Sequence, residues 1–178
     1  EWKIAWMTRD QYSPARQNRL NYLFEIIESE LRSDRNEDIE IKSALTIEHI
    51  MLRKWQEAWP LPGYEDVNSI DDLDMEYRSM MLRRSKVVDI IGNLTLLTQK
   101  LNSSVSNGPY ATKIPAIRAH SSLALNRDLN EWDHRDEDTI QQRAEVLFKA
   151  ARRVWFAPIR QENFPRAPMR PMITMPFR

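Results

Sequence analysis

Residues 47–50 read Ile-Glu-His-Ile, and residues 92–107 read Gly-Asn-Leu-Thr-Leu-Leu-Thr-Gln-Lys-Leu-Asn-Ser-Ser-Val-Ser-Asn. The first stretch sets a carboxylate, Glu48, beside an imidazole, His49, at the end of a short β-branched run. The second enters a polar stretch from a strand-like segment and carries three asparagines, Asn93, Asn102 and Asn107. A base, a carboxylate and a carboxamide gathered around one hard cation form a minimal phosphodiester-cutting centre. Hydrolysis needs a base to deprotonate water and a cation to stabilise charge on the phosphorane and the leaving oxygen. Histidine suits the first task because its pKa lies near neutrality. A magnesium-type ion suits the second: it prefers oxygen ligands and keeps several waters, so one carboxylate and one carboxamide oxygen suffice.

Neighbours on a strand point to opposite faces. For Glu48 and His49 to act at one phosphate the backbone must turn between them and the next element, so the strand is expected to end there and pass into a loop. Asn93, opening a strand after Gly92, can tie down that loop with its carboxamide. Asn102 follows across the strand and a turn, within reach of the same cation.

The elements that position these groups are legible in part. Ser13-Pro14 is a helix start, a hydroxyl followed by proline at the first helical position. Leu20, Leu23, Phe24, Ile27 and Leu31 then fall on one helical face. Residues 34–40 read as a solvated acidic loop and residues 43–50 as a short strand. Residues 51–59 suit a short helix or irregular turn that Pro60-Leu61-Pro62-Gly63 ends. Ser69 and Asp72 suggest the cap of a second long helix reaching roughly residue 84. Leu94–Thr98 is the second strand, and Asn102 sits at or just inside a short helix stopped by Gly108-Pro109. Pro115 is expected to start a further helix carrying Ile117, Leu123 and Leu125. Acidic residues 136–138 suit the front of a final long helix, with Ile140, Ala144, Leu147, Phe148, Ala151 and Trp155 as its apolar face. Five of the ten prolines lie between residue 158 and the end, which reads as an extended tail. The fold class is mainly α with one small β insertion, α+β.

At 178 residues and 42% apolar content the chain fits one ordinary soluble domain. No apolar run approaches the roughly 18 residues of a membrane span, and no secretory signal is visible. A start at Glu1 without methionine is expected of a piece of something longer. The absence of cysteine excludes disulfides, thiolate zinc sites and cysteine nucleophiles, and a reducing cytoplasm fits. Zero formal net charge gives no global field for DNA. That argues against a simple non-specific DNA binder, and less against a nuclease with a few local cations.

The motif pair resembles the HNH, or His-Me finger, nucleases, and more closely the C-terminal domain of GmrSD-type restriction endonucleases. The matching segments are Ile47-Glu48-His49-Ile50, Gly92-Asn93-Leu94-Thr95-Leu96-Leu97, Leu101-Asn102 and Ser106-Asn107. The helix with Arg19-Leu20-Asn21-Tyr22-Leu23-Phe24 looks like the family's lead-in, and Ser121 to Asn126, Trp132, Arg143 and Trp155 look like its tail. The resemblance implies a ββα-metal finger over about residues 43–113, embedded in a helical domain of residues 1–158, with residues 159–178 as the tail. It implies His49 as general base, Glu48 and Asn102 as ligands of Mg2+ or Mn2+, and Asn93 as the residue orienting the histidine loop. Asn107, Lys113 and Lys100 would lie near the DNA phosphates. It further implies a DNA endonuclease or nickase of a restriction or phage-defence protein, leaving a 5′-phosphate, with a ParB-like nucleotide-hydrolysing domain N-terminal to this one. One departure is that Met51-Leu52-Arg53 follows the histidine where the family usually has a proline, which puts the rigidity of the loop in question.

Plainer readings stand beside these. Glu48 could be a surface carboxylate bonded to an arginine, and Asn93, Asn102 and Asn107 are turn and cap residues by preference. His120 and His134 read as bystanders. Arg78, Arg83, Arg84 and Lys86 read as a solvated helix face. Lys100, Lys113 and Arg118 flank the second motif and are better phosphate candidates. Trp55, Trp59, Trp132 and Trp155 read as core anchors. Rival functions are a non-catalytic helical interaction or DNA-clamp module that retains the finger, and an RNase using the same centre.

Overall fold

A computed structural model of the chain describes residues 1–32, 41–64, 74–106, 108–130 and 136–155. The expected loop at 34–40, the cap at Ser69 and Asp72, Asn107, Trp132, His134 and the tail from residue 159 lie outside the described residues. The described part is mostly helical, with one antiparallel two-stranded sheet. No helix in it is long and apolar enough to cross a membrane.

The long C-terminal helix α7 (Glu137–Trp155) organises the core. Asp136 caps it, its Oδ1 accepting from the Thr139 amide at 2.8 Å, while Thr139 Oγ1 accepts from the Asp136 amide at 3.0 Å. Ile140, Ala144, Leu147, Phe148 and Ala151 recur at helical spacing and are buried. Trp155 departs from the expected apolar face: it is 45% exposed. Helix α1 (Trp2–Thr8), which periodicity did not announce, crosses α7, and Trp6 Nε1 donates to the Ala144 carbonyl at 2.9 Å. Helix α2 (Gln17–Leu31) follows a 3-10 turn at Pro14–Arg16 and buries Leu20, Phe24 and Ile27. Each such burial stabilises the fold by about 1.5–3 kcal/mol.

Strand β1 (Leu45–His49) pairs with β2 (Leu94–Thr98) so that His49 faces Leu94 and Glu48 faces Thr95. The excursion between them carries α3 (Trp55–Ala58) and α4 (Met75–Ser85), whose cap is Asp74, accepting from the Tyr77 amide at 2.8 Å. Arg84 is not on a solvated face. It is 4% exposed, donates to Glu137 Oε1 at 2.5 Å and to the Trp59 carbonyl at 2.6 Å, and lies over the Trp55 ring. Trp55 and Trp59 are buried.

Gly92 lies in the 3-10 turn Ile91–Asn93 that leads into β2. A Cβ there would stand 2.0 Å from the Ile140 carbonyl oxygen, so only glycine lets α7 approach this turn. Arg143, fully buried on α7, donates to the carbonyls of Gly92, Leu94 and Leu125 and ties the turn, β2 and a 3-10 segment at Ala124–Asn130 into one unit. After β2 come α5 (Gln99–Val105) and α6 (Tyr110–His120). Pro115 lies inside α6 instead of starting it, and Leu123 and Leu125 belong to the segment beyond. The helix begins at Tyr110 because Pro109 occupies the cap, its carbonyl accepting from the Lys113 amide at 2.9 Å.

Candidate active site

β1 ends at His49, and the next residue leaves the ladder through a bond from the Ile50 amide to the Asn93 carbonyl at 2.8 Å. The loop that follows lacks a proline, yet it is fixed. Asn93, fully buried, accepts from the Met51 amide at 2.7 Å through Oδ1 and donates to the Met51 carbonyl at 2.8 Å through Nδ2. The same Nδ2 also donates to the Val88 carbonyl at 2.7 Å. One carboxamide therefore fastens the loop after His49 to the segment before β2, with all three contacts buried and satisfied.

His49 is buried, 8% exposed. Its Nε2 lies 2.8 Å from Asp89 Oδ1, and the same oxygen takes the Arg53 guanidinium at 3.2 Å. The Tyr12 ring meets the imidazole edge-on, centroids 4.5 Å apart, and Arg53 lies 5.7 Å from the Tyr12 centroid. Burial holds the His49 pKa below its ordinary value and outweighs the opposing pull of Asp89 and Glu48. The neutral imidazole, the form a base requires, is thereby favoured.

Thr46 and Glu48 share a face of β1, since alternate strand residues point the same way. Helix α5 covers that face: Asn102 Nδ2 donates to Thr46 Oγ1 at 2.8 Å and reaches the Ile47 carbonyl at 3.5 Å. These contacts turn the amide nitrogen to the strand and leave Oδ1 without a hydrogen bond among the described residues. Glu48 lies two residues along from Thr46, about 7 Å at strand rise. Its carboxylate takes the Lys113 ammonium from α6, which also donates to the His49 carbonyl at 2.6 Å. Burial pushes the Lys113 pKa down against the pull of Glu48.

The arrangement gathers Glu48, Asn102 and Lys113 on one side of β1 and sets His49 at the strand's end, its ring held by Asp89. Lys113 is buried with its ammonium occupied, so a phosphate contact would require that pair to open. Lys100 is exposed on the first turn of α5. His120 is exposed at the end of α6, and Arg118 donates to the Leu129 carbonyl. Among the described residues no three His, Cys, Asp or Glu side chains cluster to enclose a metal ion. The donor set present, one carboxylate and one free carboxamide oxygen, fits instead an oxygen-seeking cation that fills most of its positions with water and phosphate.

Asp89, Tyr12 and Thr46 escaped sequence reasoning. Asp89 had a signal: it is the lone charge in Val87-Val88-Asp89-Ile90-Ile91, and a carboxylate in an apolar run needs a partner. Tyr12 and Thr46 carried none, because their roles depend on contacts distant in sequence.

A family model described as GmrSD restriction endonucleases, C-terminal domain, matches residues 1–150. No curated protein and no solved structure matches the chain.

Proposed function

Since the chain belongs to the family of C-terminal domains of GmrSD restriction endonucleases, we propose that it is a metal-dependent DNA endonuclease or nickase domain of HNH type. The observation that carries this reading is the two-stranded sheet itself: Glu48, His49 and, through Thr46, Asn102 are all fixed to strand β1. Glu48 and Asn102 Oδ1 would hold Mg2+ or Mn2+. When bound, that ion supplies Lewis-acid stabilisation of charge on the scissile phosphate.

His49 takes a proton from the attacking water, whose oxygen bonds to phosphorus as the bond to the 3′ oxygen breaks, leaving a 5′-phosphate and a 3′-hydroxyl. Asn93 keeps the imidazole in place by holding Met51. Lys113 neutralises Glu48 when no cation is present. Lys100 meets the DNA backbone as a solvated cation, and Asn107 is assigned to the same role. The finger is assigned to the domain of residues 1–158, with residues 159–178 outside it. A ParB-like nucleotide-hydrolysing domain of the same protein supplies affinity and recognition in the cytoplasm.

The test is cleavage of duplex DNA, single-stranded DNA and RNA by the full-length protein with Mn2+, beside His49→Ala. Duplex cleavage lost in the variant, with folding and DNA binding intact, is expected. Cleavage of RNA alone would replace the assignment by an RNase, and undiminished cleavage by His49→Ala would remove His49 as the base.

A further inference from the structure

We infer that Asp89 is the positioning residue for His49: it fixes Nε2 as the protonated ring nitrogen and leaves Nδ1 as the proton acceptor. The inference rests on the reading of His49 as general base. It begins from the chemistry of the contact. A carboxylate accepts hydrogen bonds and donates none, so the ring nitrogen 2.8 Å from Asp89 Oδ1 carries the hydrogen. In a neutral imidazole the other nitrogen is then the basic one. Nδ1 of His49 makes no hydrogen bond among the described residues.

The placement of Asp89 is itself determined from several directions. The Gln11 amide donates to the Asp89 carbonyl at 2.9 Å, and Arg53 holds Oδ1 at 3.2 Å. Asn93 grips Val88, the residue immediately before Asp89, with the same amide nitrogen that grips Met51, two residues after His49. One buried side chain thus joins the two segments that carry the imidazole and the carboxylate. Tyr12 closes the neighbouring side of the ring at 4.5 Å, against rotation of the imidazole. A histidine free to rotate or to exchange tautomers would present N–H to the attacking water for part of the time. Asp89 prevents that, in the way that the partners of functional imidazoles generally fix tautomer and orientation.

The experiment uses the full-length protein labelled with 15N-histidine, metal-free at about pH 8 where an ordinary imidazole is neutral. The chain contributes only three histidines, and His49→Gln assigns the signal of interest. Two-bond 1H–15N correlations are expected to show His49 as the Nε2–H tautomer in the native protein and as a mixture in Asp89→Ala. In parallel, Asp89→Ala is expected to lower kcat on DNA by about 10- to 100-fold with KM changed less than about threefold. An Nδ1–H tautomer in the native protein, or a tautomer unchanged in the variant, would overturn the inference. So would a kcat within about threefold of native, whatever happens to KM. If Asp89→Ala does not fold, the native tautomer and the isosteric Asp89→Asn decide. If the native protein cuts no nucleic acid, the nuclease reading fails while the tautomer measurement still judges Asp89.

Discussion

Asn93 grips Met51 by both ends of its carboxamide, accepting from the amide at 2.7 Å and donating to the carbonyl at 2.8 Å. Replacing it by alanine strands these two backbone groups and the Val88 carbonyl in a site with no water access. Each buried polar group left unsatisfied costs about 1–3 kcal/mol, so Asn93→Ala is expected to lose about 3 kcal/mol or more in urea unfolding. Asn93→Asp should be no better, because a carboxylate cannot donate to either carbonyl. A loss below about 1 kcal/mol in both variants would show that the grip is dispensable.

Gly92→Ala tests the packing on which that grip depends. The added methyl would meet the Ile140 carbonyl at 2.0 Å and Ala144 at 2.9 Å, both on the helix that orders the core. Since backbone cannot swing aside as a side chain can, the cost should reach or exceed the usual 1–3 kcal/mol of overpacking, about 3 kcal/mol. Thermal unfolding measures it, and a melting temperature equal to that of the native protein would mean that the turn and α7 separate easily.

The legible parts of this chain were those whose signal is local. β2 is readable from end to end because a β-rich run follows Gly92-Asn93, and β1 is placed by Thr46-Ile47, although the expected span of residues 43–50 overruns the ladder Leu45–His49. Glycine at position 92 was readable as a break, but its reason, the approach of α7, was not. The seven-residue α1 is too short for periodicity to show, and its Trp2 and Trp6 belong to a cluster with Phe148 at the far end of the chain. Arg84 looks solvated beside Arg83 and Lys86, and only its contacts with Trp55, Trp59 and Glu137 distinguish it. The candidate site divides in the same way. Glu48, His49, Asn93 and Asn102 stand out by residue type and order, whereas Asp89, Tyr12 and the Lys113–Glu48 pair exist only through contacts across the fold.

The Lys113–Glu48 pair makes a prediction about the cation. Lys113 has a fully buried side chain, and its ammonium sits on the carboxylate proposed as a metal ligand. Lys113→Met removes a positive charge beside that ligand and should tighten Mn2+ binding on the order of tenfold in calorimetric titration. Glu48→Gln should abolish Mn2+ binding and also destabilise the protein by about 3–5 kcal/mol, because it takes the counter-charge from a buried ammonium. Weaker Mn2+ binding by Lys113→Met would mean that the lysine supports the cation site and does not compete with it.

Stability should also depend on pH through His49. Its folded pKa lies below the ordinary 6.5, chiefly because burial disfavours the charged ring. Above 6.5 the ring is neutral in both folded and unfolded chains, and burial costs nothing in protonation. As pH falls through 6.5 the unfolded chain takes up the proton first, so folding loses free energy until the folded pKa is passed. One proton sets the limiting slope, about 1.4 kcal/mol per pH unit. Urea unfolding of metal-free protein at several pH values should show this decline in the native protein but not in His49→Gln, which cannot titrate there. Parallel curves for the two would mean that the imidazole is as free to protonate in the fold as in the open chain.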